Sequence, residues 1–180
     1  GLVSIRLDLD LLDALSAAHP GWTFVLLGDV NPNGCAPILE RLAARPNVRL
    51  LPPVAPHETP AWVRSFDLGL LPYRVTPETV AASPLKLYEY LAAGLPVVAA
   101  AVPGAYRFAG VVRIAHSLAE WEAAIEAELA AAAAAHMAAV TAAAARRAAV
   151  AEHTWDARVE TLSGYLREAL AERGATCGWQ

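Results

Sequence analysis

Cysteine is scarce in this chain, which has only Cys35 and Cys177 among its 180 residues. The two lie far apart, and neither has the closely spaced Cys or His partners that a zinc site requires. We therefore interpret both as reduced thiols of a cytosolic protein and predict no metal site.

Positive charge is also limited, because lysines and arginines form no basic block and the formal net charge is −4. Proteins that bind the phosphate backbone of DNA or RNA concentrate basic residues, so nucleic-acid binding is disfavoured.

Long apolar runs are absent as well. Leu91–Ala105 is broken by glycines and prolines and is shorter than the ~18 residues of a membrane span, and Leu129–Ala145 is mostly alanine. Without a transmembrane segment or a signal peptide, we expect a cytoplasmic protein.

What the chain does contain is a regular alternation of short apolar runs and helical patterns, with 56% hydrophobic residues overall. This alternation predicts an α/β fold, a Rossmann-like parallel sheet with helices on both faces. The predicted strands are Thr23–Leu27, Asn47–Leu51, Asp67–Leu71, Pro96–Ala100 and Val111–Ile114. The predicted helices are Leu7–Ala18, Pro37–Ala44, Pro60–Ser65, Pro84–Ala93, Leu118–Val150 (continuous or broken) and Thr154–Glu172. One domain over residues 1–172 and a loose tail over 173–180 follow from this pattern.

The most informative segment runs from Ser83 to Val98, after a long loop from Pro72 to Ala82. Ser83 is a favourable N-cap and Pro84 a favourable first helical residue. Gly94 suits the left-handed position just past a helix, and Pro96 prevents the helix from continuing. The segment therefore predicts a helix, a tight turn and a buried strand.

Lys86 does not suit the first turn of that helix, because a cation there opposes the helix dipole at a cost of about 0.3–1 kcal/mol. A bound anion would reverse the sign of this effect. Free N–H groups of Leu85 and Lys86 at the helix start, beyond the carboxyl end of a parallel strand, are typical of a phosphate site. Glu89 follows three residues later and could accept hydrogen bonds from two ribose hydroxyls. The alternative is a plain surface Lys–Glu pair.

The run SPLKLYEYLAAGLPVVA resembles the donor-site signature of the retaining glycosyltransferases of the GT-B fold, family 4. Further similar segments are DLDLLDALSAAHPGWTFVLLGD, NVRLLPPVAPHETPAWVRSFDLGLLPY and HTWDARVETL, so the resemblance covers about residues 1–170. It implies the C-terminal half of a GT-B fold and transfer of a sugar from a nucleoside-diphosphate donor. The donor is then a co-substrate, and no cofactor is expected.

The resemblance also implies roles for particular residues. Glu89 would bind the ribose, and Lys86, with the backbone amides at Leu85 and Lys86, would face the diphosphate. Val54 would contact the base through its backbone, and Gly1 would lie near the phosphates. Ser83 and Pro84, which begin the helix, belong to the same expected donor site.

Three features depart from the family pattern. Ala81 occupies the position of the family's first glutamate, so that contact to the donor sugar is absent, and Thr79 or Glu78 is the candidate substitute. The basic pair of many relatives is not obvious, with Arg6 and Arg74 as candidates; a solvated surface position is the alternative for each. Gly1 would also follow the first strand of this domain, so we expect that strand to be missing and Leu2–Ile5 to replace part of it.

Two other functions stay open at this point: a non-enzymatic α/β nucleotide-binding or interaction domain, and half of a sugar-nucleotide epimerase. For the transferase, the acceptor would be a saccharide or a lipid-linked sugar bound by an absent N-terminal domain. The fragment would then be inactive alone, and a lipid-linked acceptor would bring the protein to the inner face of the membrane.

Overall fold

The computed structural model describes residues 1–81, 83–134 and 136–172, and these form five strands and nine helices. In chain order the elements are α1 (Leu9–Ala18), β1 (Phe24–Leu27), α2 (Ala36–Ala43), β2 (Val48–Leu51), α3 (Thr59–Arg64), β3 (Gly69–Leu71), α4 (Pro77–Val80), α5 (Leu85–Ala93), β4 (Val97–Ala100), α6 (Pro103–Tyr106), β5 (Arg113–Ala115), α7 (Leu118–Ala134), α8 (His136–Val150) and α9 (Trp155–Glu172). The predicted tail, residues 173–180, and Cys177 lie outside the described residues.

The strands are parallel but form two sheets. β1 pairs with β2 in the register Phe24↔Val48, and β4 lies between β3 and β5 in the registers Gly69↔Val97 and Val98↔Arg113. A parallel arrangement of strands alternating with helices confirms the predicted fold class. The division into two sheets was not predicted, and it arises because β1 and β3 do not pair.

Helices cover both faces of the strands, and a separate hydrophobic core lies on each side. Strand β4 shows this best, since all four of its residues are buried and alternate residues belong to different cores. Val98 and Ala100 pack in the first core, with side chains from α1, α2 and α7. Val97 and Ala99 pack in the second core, with side chains from α5 and α8. Burial on both faces explains why this strand reads as a continuous apolar run.

Most element boundaries fall within one or two residues of their predicted positions, and the helix predicted over Leu118–Val150 forms two helices, α7 and α8. Three details were wrong. The loop from Pro72 to Ala82 contains the short helix α4, which Thr76 caps through a capping box. A second short helix, α6, follows β4. The helix predicted to start at Pro84 begins instead at Leu85, because Pro84 adopts an extended conformation. No side chain caps this helix.

No single helix among the described residues is both long and apolar enough to cross a membrane; only the bent pair Leu118–Ala133 and Met137–Ala171 meets those criteria jointly, by length and composition.

Candidate donor-binding site

Helix α5 carries the two residues expected to serve the reaction, and its buried face fixes its position. Leu87 and Leu91, four residues apart on one face, are fully buried in the second core. Gly94 ends the helix in the left-handed conformation, with φ of 80°. The opposite face of α5 therefore stays free, and it presents Lys86 and Glu89.

Two arginines of α8 hold the other end of α5. Arg146 donates to the Gly94 carbonyl oxygen at 3.4 Å, and Arg147 donates to the Ala93 carbonyl oxygen at 3.2 Å. Cations at a helix C-terminus stabilise the helix by interacting with its dipole and its unpaired carbonyl groups. Arg146 is itself paired with Glu128, whose carboxylate lies 2.8 Å away. These contacts fix the direction in which the N-terminus of α5 points.

The N-terminus of α5 is uncapped. Leu85 is exposed, and no acceptor in the described part of the chain takes the N–H groups of Leu85 and Lys86. Unpaired N–H groups at a helix start carry a partial positive charge and point outward along the helix axis. The arrangement predicted from the sequence, with free donors beside a lysine, is present.

Gly1 lies against the Lys86 side chain. A methyl group added to Gly1 would overlap the Cε atom of Lys86, so the two residues lie in close contact, and the flexible end of the lysine side chain would have to shift. The Gly1 amine donates to the Leu27 carbonyl oxygen at the carboxyl end of β1. Gly28, with φ of 136°, passes so close to the Gly1 backbone that any side chain on it would collide. Two glycines thus bring the end of β1 and the start of α5 together around Lys86.

Charges of both signs surround Gly1. Burial, and then the positive charge of Lys86, lower the pKa of the Gly1 amine to about 6, while Glu89 and Asp29 oppose that shift only in part. The Lys86 ammonium lies 3.8 Å from the Glu89 carboxylate, and both side chains are partly exposed. A pair at this distance and exposure contributes little to stability, so both groups remain available to a ligand.

Two tyrosines, which the sequence did not mark as site residues, lie on the inner side of the site. Burial raises the pKa of Tyr90 to about 12, and the nearby Glu89 carboxylate adds to that shift. Burial also raises the pKa of Tyr73. Both phenols therefore stay neutral at physiological pH and can donate hydrogen bonds. Their aromatic type alone gave no signal, since tyrosines in such positions usually pack in the core.

The other predicted donor-binding residues lie in different environments. Arg6 is exposed and lines the same cavity as Gly1, Lys86 and Tyr73. The guanidinium of Arg74 instead donates to the Asp10 carboxylate at 2.8 Å, on helix α1. The Thr79 hydroxyl is buried and donates to the Arg74 carbonyl oxygen, so it serves the internal structure of the loop.

Four more predicted residues are described by how exposed they are. Val54 follows β2 in a partly exposed loop, and Glu78 is exposed. Ser83 is exposed, whereas Pro84 is buried at the start of α5. Among the described residues, no three His, Cys, Asp or Glu side chains gather as a metal site would require. The donor-binding roles of all these residues remain predictions.

A family model described as glycosyl transferase-like matches residues 8–164. TuaH of Bacillus subtilis (strain 168), named as a teichuronic acid biosynthesis glycosyltransferase, is 37% identical over 103 residues, which are 57% of this chain and 26% of TuaH.

Solved structures show the same fold. HepE of Anabaena, crystallised in complex with UDP-glucose, superposes with a TM-score of 0.64 at 20% identity, over 95% of this chain and 48% of HepE. The α,α-trehalose 6-phosphate synthase of Burkholderia multivorans superposes with a TM-score of 0.68 at 16% identity, over 99% of this chain and 44% of the synthase. The chain spans less than half the length of each of these relatives.

The two superpositions establish the fold as that of the C-terminal, Rossmann-like domain of GT-B glycosyltransferases, as the sequence predicted. The match to the family model extends over most of the chain and includes the α5 segment with Lys86 and Glu89. This chain belongs to the glycosyl transferase-like family.

Proposed function

We propose that this chain supplies the donor site of a glycosyltransferase that moves a sugar from a nucleoside-diphosphate donor to an acceptor. The observation that carries the proposal is the uncapped N-terminus of α5, which meets Lys86 and Gly1 at the carboxyl edge of β1. In open α/β folds ligands bind at this edge, and a helix N-terminus there attracts phosphate. The co-crystallised UDP-glucose of HepE, a protein of the same fold, supports a donor of this class.

The chemistry assigned to Lys86 is electrostatic. Sugar transfer leaves negative charge on the departing diphosphate, and a fixed cation with oriented N–H groups stabilises that charge as it develops. Lys86 and the amides of Leu85 and Lys86 supply these groups. The Lys86 side chain already lies beside the start of α5, in contact with Gly1.

Glu89 is the proposed residue that binds the ribose of the donor. It lies one turn along α5 from Lys86, and its carboxylate is partly exposed beside the Lys86 ammonium. An ionised carboxylate has two acceptor oxygens, which match two adjacent ribose hydroxyls. Val54 follows β2, whose carboxyl end lies at the same edge of the sheet as that of β1. The backbone of Val54 is thereby the proposed contact to the base.

The proposed acceptor site belongs to a second domain of the protein. The structural relatives are about twice as long as this chain, so a second domain would bind the acceptor across the donor site. A saccharide or a lipid-linked sugar is the proposed acceptor class, and the latter would bring a cytoplasmic enzyme to the inner membrane face. The 180-residue chain alone is expected to bind nucleotide without transferring sugar.

Replacing Lys86 with alanine is expected to weaken binding of UDP or GDP by roughly 10- to 100-fold, since a hydrogen bond to a charged group contributes about 1.5–3 kcal/mol. Titration calorimetry of the chain with each nucleotide and with inorganic pyrophosphate would measure this. Arg64→Ala, which removes an exposed cation at the end of α3, is the matched control and should leave affinity unchanged. Equal affinity in the Lys86→Ala variant and the parent would refute the phosphate site and favour a plain interaction domain.

Replacing Glu89 with alanine should separate ribose binding from phosphate binding. We expect UDP affinity to fall roughly tenfold, because the ribose hydroxyls lose their acceptor. Affinity for inorganic pyrophosphate, which has no ribose, should stay the same or rise, because Lys86 loses its competing carboxylate. A parallel loss for both ligands would show instead that Glu89 only maintains the local structure.

A further inference from the structure

Gly69, the first residue of β3, lies directly against a side chain of α5. Gly69 is buried, and it shares a face of β3 with Leu71, which packs in the second core. A methyl group added to Gly69 would lie 2.5 Å from the Cδ2 atom of Tyr90, 2.9 Å from its Cγ atom and 3.0 Å from its Cε2 atom. The Tyr90 ring therefore occupies the space in which any other residue at position 69 would place its Cβ atom.

The contact between Gly69 and Tyr90 is a rigid one. All three nearest atoms belong to one aromatic ring, which moves as a unit, and not to the end of a flexible chain. Carbon atoms pack at about 3.5–4.0 Å, so a methyl group at position 69 would displace the ring by about 1 Å. The ring itself packs against the second core. Because such cores are close-packed, the displacement passes to the helix that carries the ring.

The other end of α5 has a close contact of the same kind. A Cβ atom on Gly94 would lie 2.8 Å from a guanidinium nitrogen of Arg147 and 3.1 Å from the Cβ atom of Ala143, both on α8. The C-terminus of α5 is therefore held against α8 while the Tyr90 ring presses on β3. A push at Tyr90 tilts the helix about its fixed C-terminal end.

The tilt has its largest effect at the start of α5. Tyr90 precedes Gly94 by four residues and Lys86 precedes it by eight. At a rise of about 1.5 Å per residue, Lys86 is about twice as far from the fixed end, so a displacement of the ring is roughly doubled there. Lys86 and Tyr90 also lie one turn apart on the same face of the helix, and Glu89 directly precedes Tyr90. The residues proposed to bind the donor thus move with the ring.

We propose that Gly69 is a positioning residue of the donor site: by admitting the Tyr90 ring, it sets the tilt of α5 and so places Lys86 and Glu89 against the nucleoside diphosphate. The inference rests on the proposed function and adds to it a residue that contacts no ligand. A glycine inside a strand often marks a close approach of this kind. The consequence for binding is large, because a displacement of about 1 Å in groups that act on a ligand can cost about 100-fold in activity.

A double-mutant cycle between the two positions tests the proposal. Gly69→Ala is expected to weaken UDP binding by about tenfold or more, measured by titration calorimetry on the folded chain well below its Tm. In the Tyr90→Ala background the same change should have no effect on affinity, because the ring that the methyl group meets is absent. Gly110→Ala is the matched control, since a Cβ atom there meets nothing within 4 Å, and it should leave affinity unchanged.

The backbone amide resonances of Leu85 and Lys86, recorded without ligand, give a second measurement. They should shift in Gly69→Ala, and in the double variant they should match those of Tyr90→Ala. If Gly69→Ala does not fold, Tyr90→Trp, which enlarges the ring against the unchanged glycine, should give the same losses and shifts.

Unshifted amides with unchanged UDP affinity in folded Gly69→Ala would overturn the inference. An equal loss of affinity with and without the Tyr90 ring would also overturn it, because the effect would then not pass through that side chain. A parent chain that binds neither UDP nor inorganic pyrophosphate would instead refute the proposed function. The amide resonances would still show whether Gly69 sets the tilt of α5.

Discussion

Replacing Asn47 with aspartate is expected to destabilise the fold by about 3 kcal/mol or more at neutral pH. The Asn47 side chain is buried, with 9% of the residue exposed. Its amide nitrogen donates to the carbonyl oxygens of Ser16 at 3.0 Å, His19 at 3.1 Å and Trp22 at 3.0 Å. Aspartate has nearly the same shape but no N–H, so it would place a negative charge against three carbonyl oxygens and remove a donor from each. The His19 oxygen would keep the Trp22 N–H as a donor.

The loss of stability should be larger at neutral pH than at acidic pH. Burial and the surrounding carbonyl oxygens would raise the folded-state pKa of the new carboxyl above its unfolded value of about 3.9. The folded state then binds more protons than the unfolded state between these two pKa values, so stability falls as pH rises through that range. The difference between variant and parent should therefore be largest at pH 7 and shrink as the pH approaches about 4.

Urea unfolding of both proteins at pH 7 and at pH 4.5 would measure this, with pH values chosen to bracket the expected shift. Asn33→Asp makes the same chemical change at an exposed position and should cost little at either pH. A loss below about 1 kcal/mol, or one that is the same at both pH values, would show that the Asn47 amide does not hold these three carbonyl groups.

Replacing Leu91 with alanine is expected to cost about 2–5 kcal/mol of unfolding free energy, as for other large-to-small changes in a packed core. Leu91 is fully buried and belongs to the same core as Leu87 and Val97. The change removes three carbons from this core and leaves a cavity beneath α5. Because α5 carries Lys86 and Glu89, nucleotide affinity should fall together with the folded fraction.

The matched control is Leu85→Ala, the same substitution on the same helix at a residue that is 59% exposed. We expect little loss of stability from it. Nucleotide affinity should also persist, since the proposed contribution of Leu85 is its backbone N–H. Chemical unfolding and UDP titration of both variants would settle the point, and a Leu85→Ala variant with normal stability but lost affinity would contradict the backbone role.

Local signals in the sequence were sufficient for the helices and strands near the site. Gly94 has the left-handed φ that its place after a helical pattern predicted, and β4 begins at Val97, one residue after the predicted start at Pro96. The short helix α4 was missed even though Thr76 and Pro77 have the types found at a helix start. A four-residue helix has no apolar periodicity, so only its cap could have identified it.

These local signals could not predict contacts between residues that are distant in sequence. Arg74 was a candidate for the donor phosphates, yet its guanidinium lies beside Asp10, 64 residues away in sequence. The role of Asn47 was equally hidden, because its three acceptors lie 25 to 31 residues earlier, around the end of α1. Polar side chains of this kind have no period, and their partners depend on how the elements pack.

The sequence by itself determined the alternation of strands and helices, the Gly94 C-cap of α5 and the presence of a lysine at a helix start, because each depends on residues within a few positions of one another. Only the tertiary structure decided that Gly1 and Gly28 meet at Lys86, and that β1 and β3 do not pair. Pairing between distant strands depends on which backbone edges meet after packing, and no local pattern of residue types encodes that.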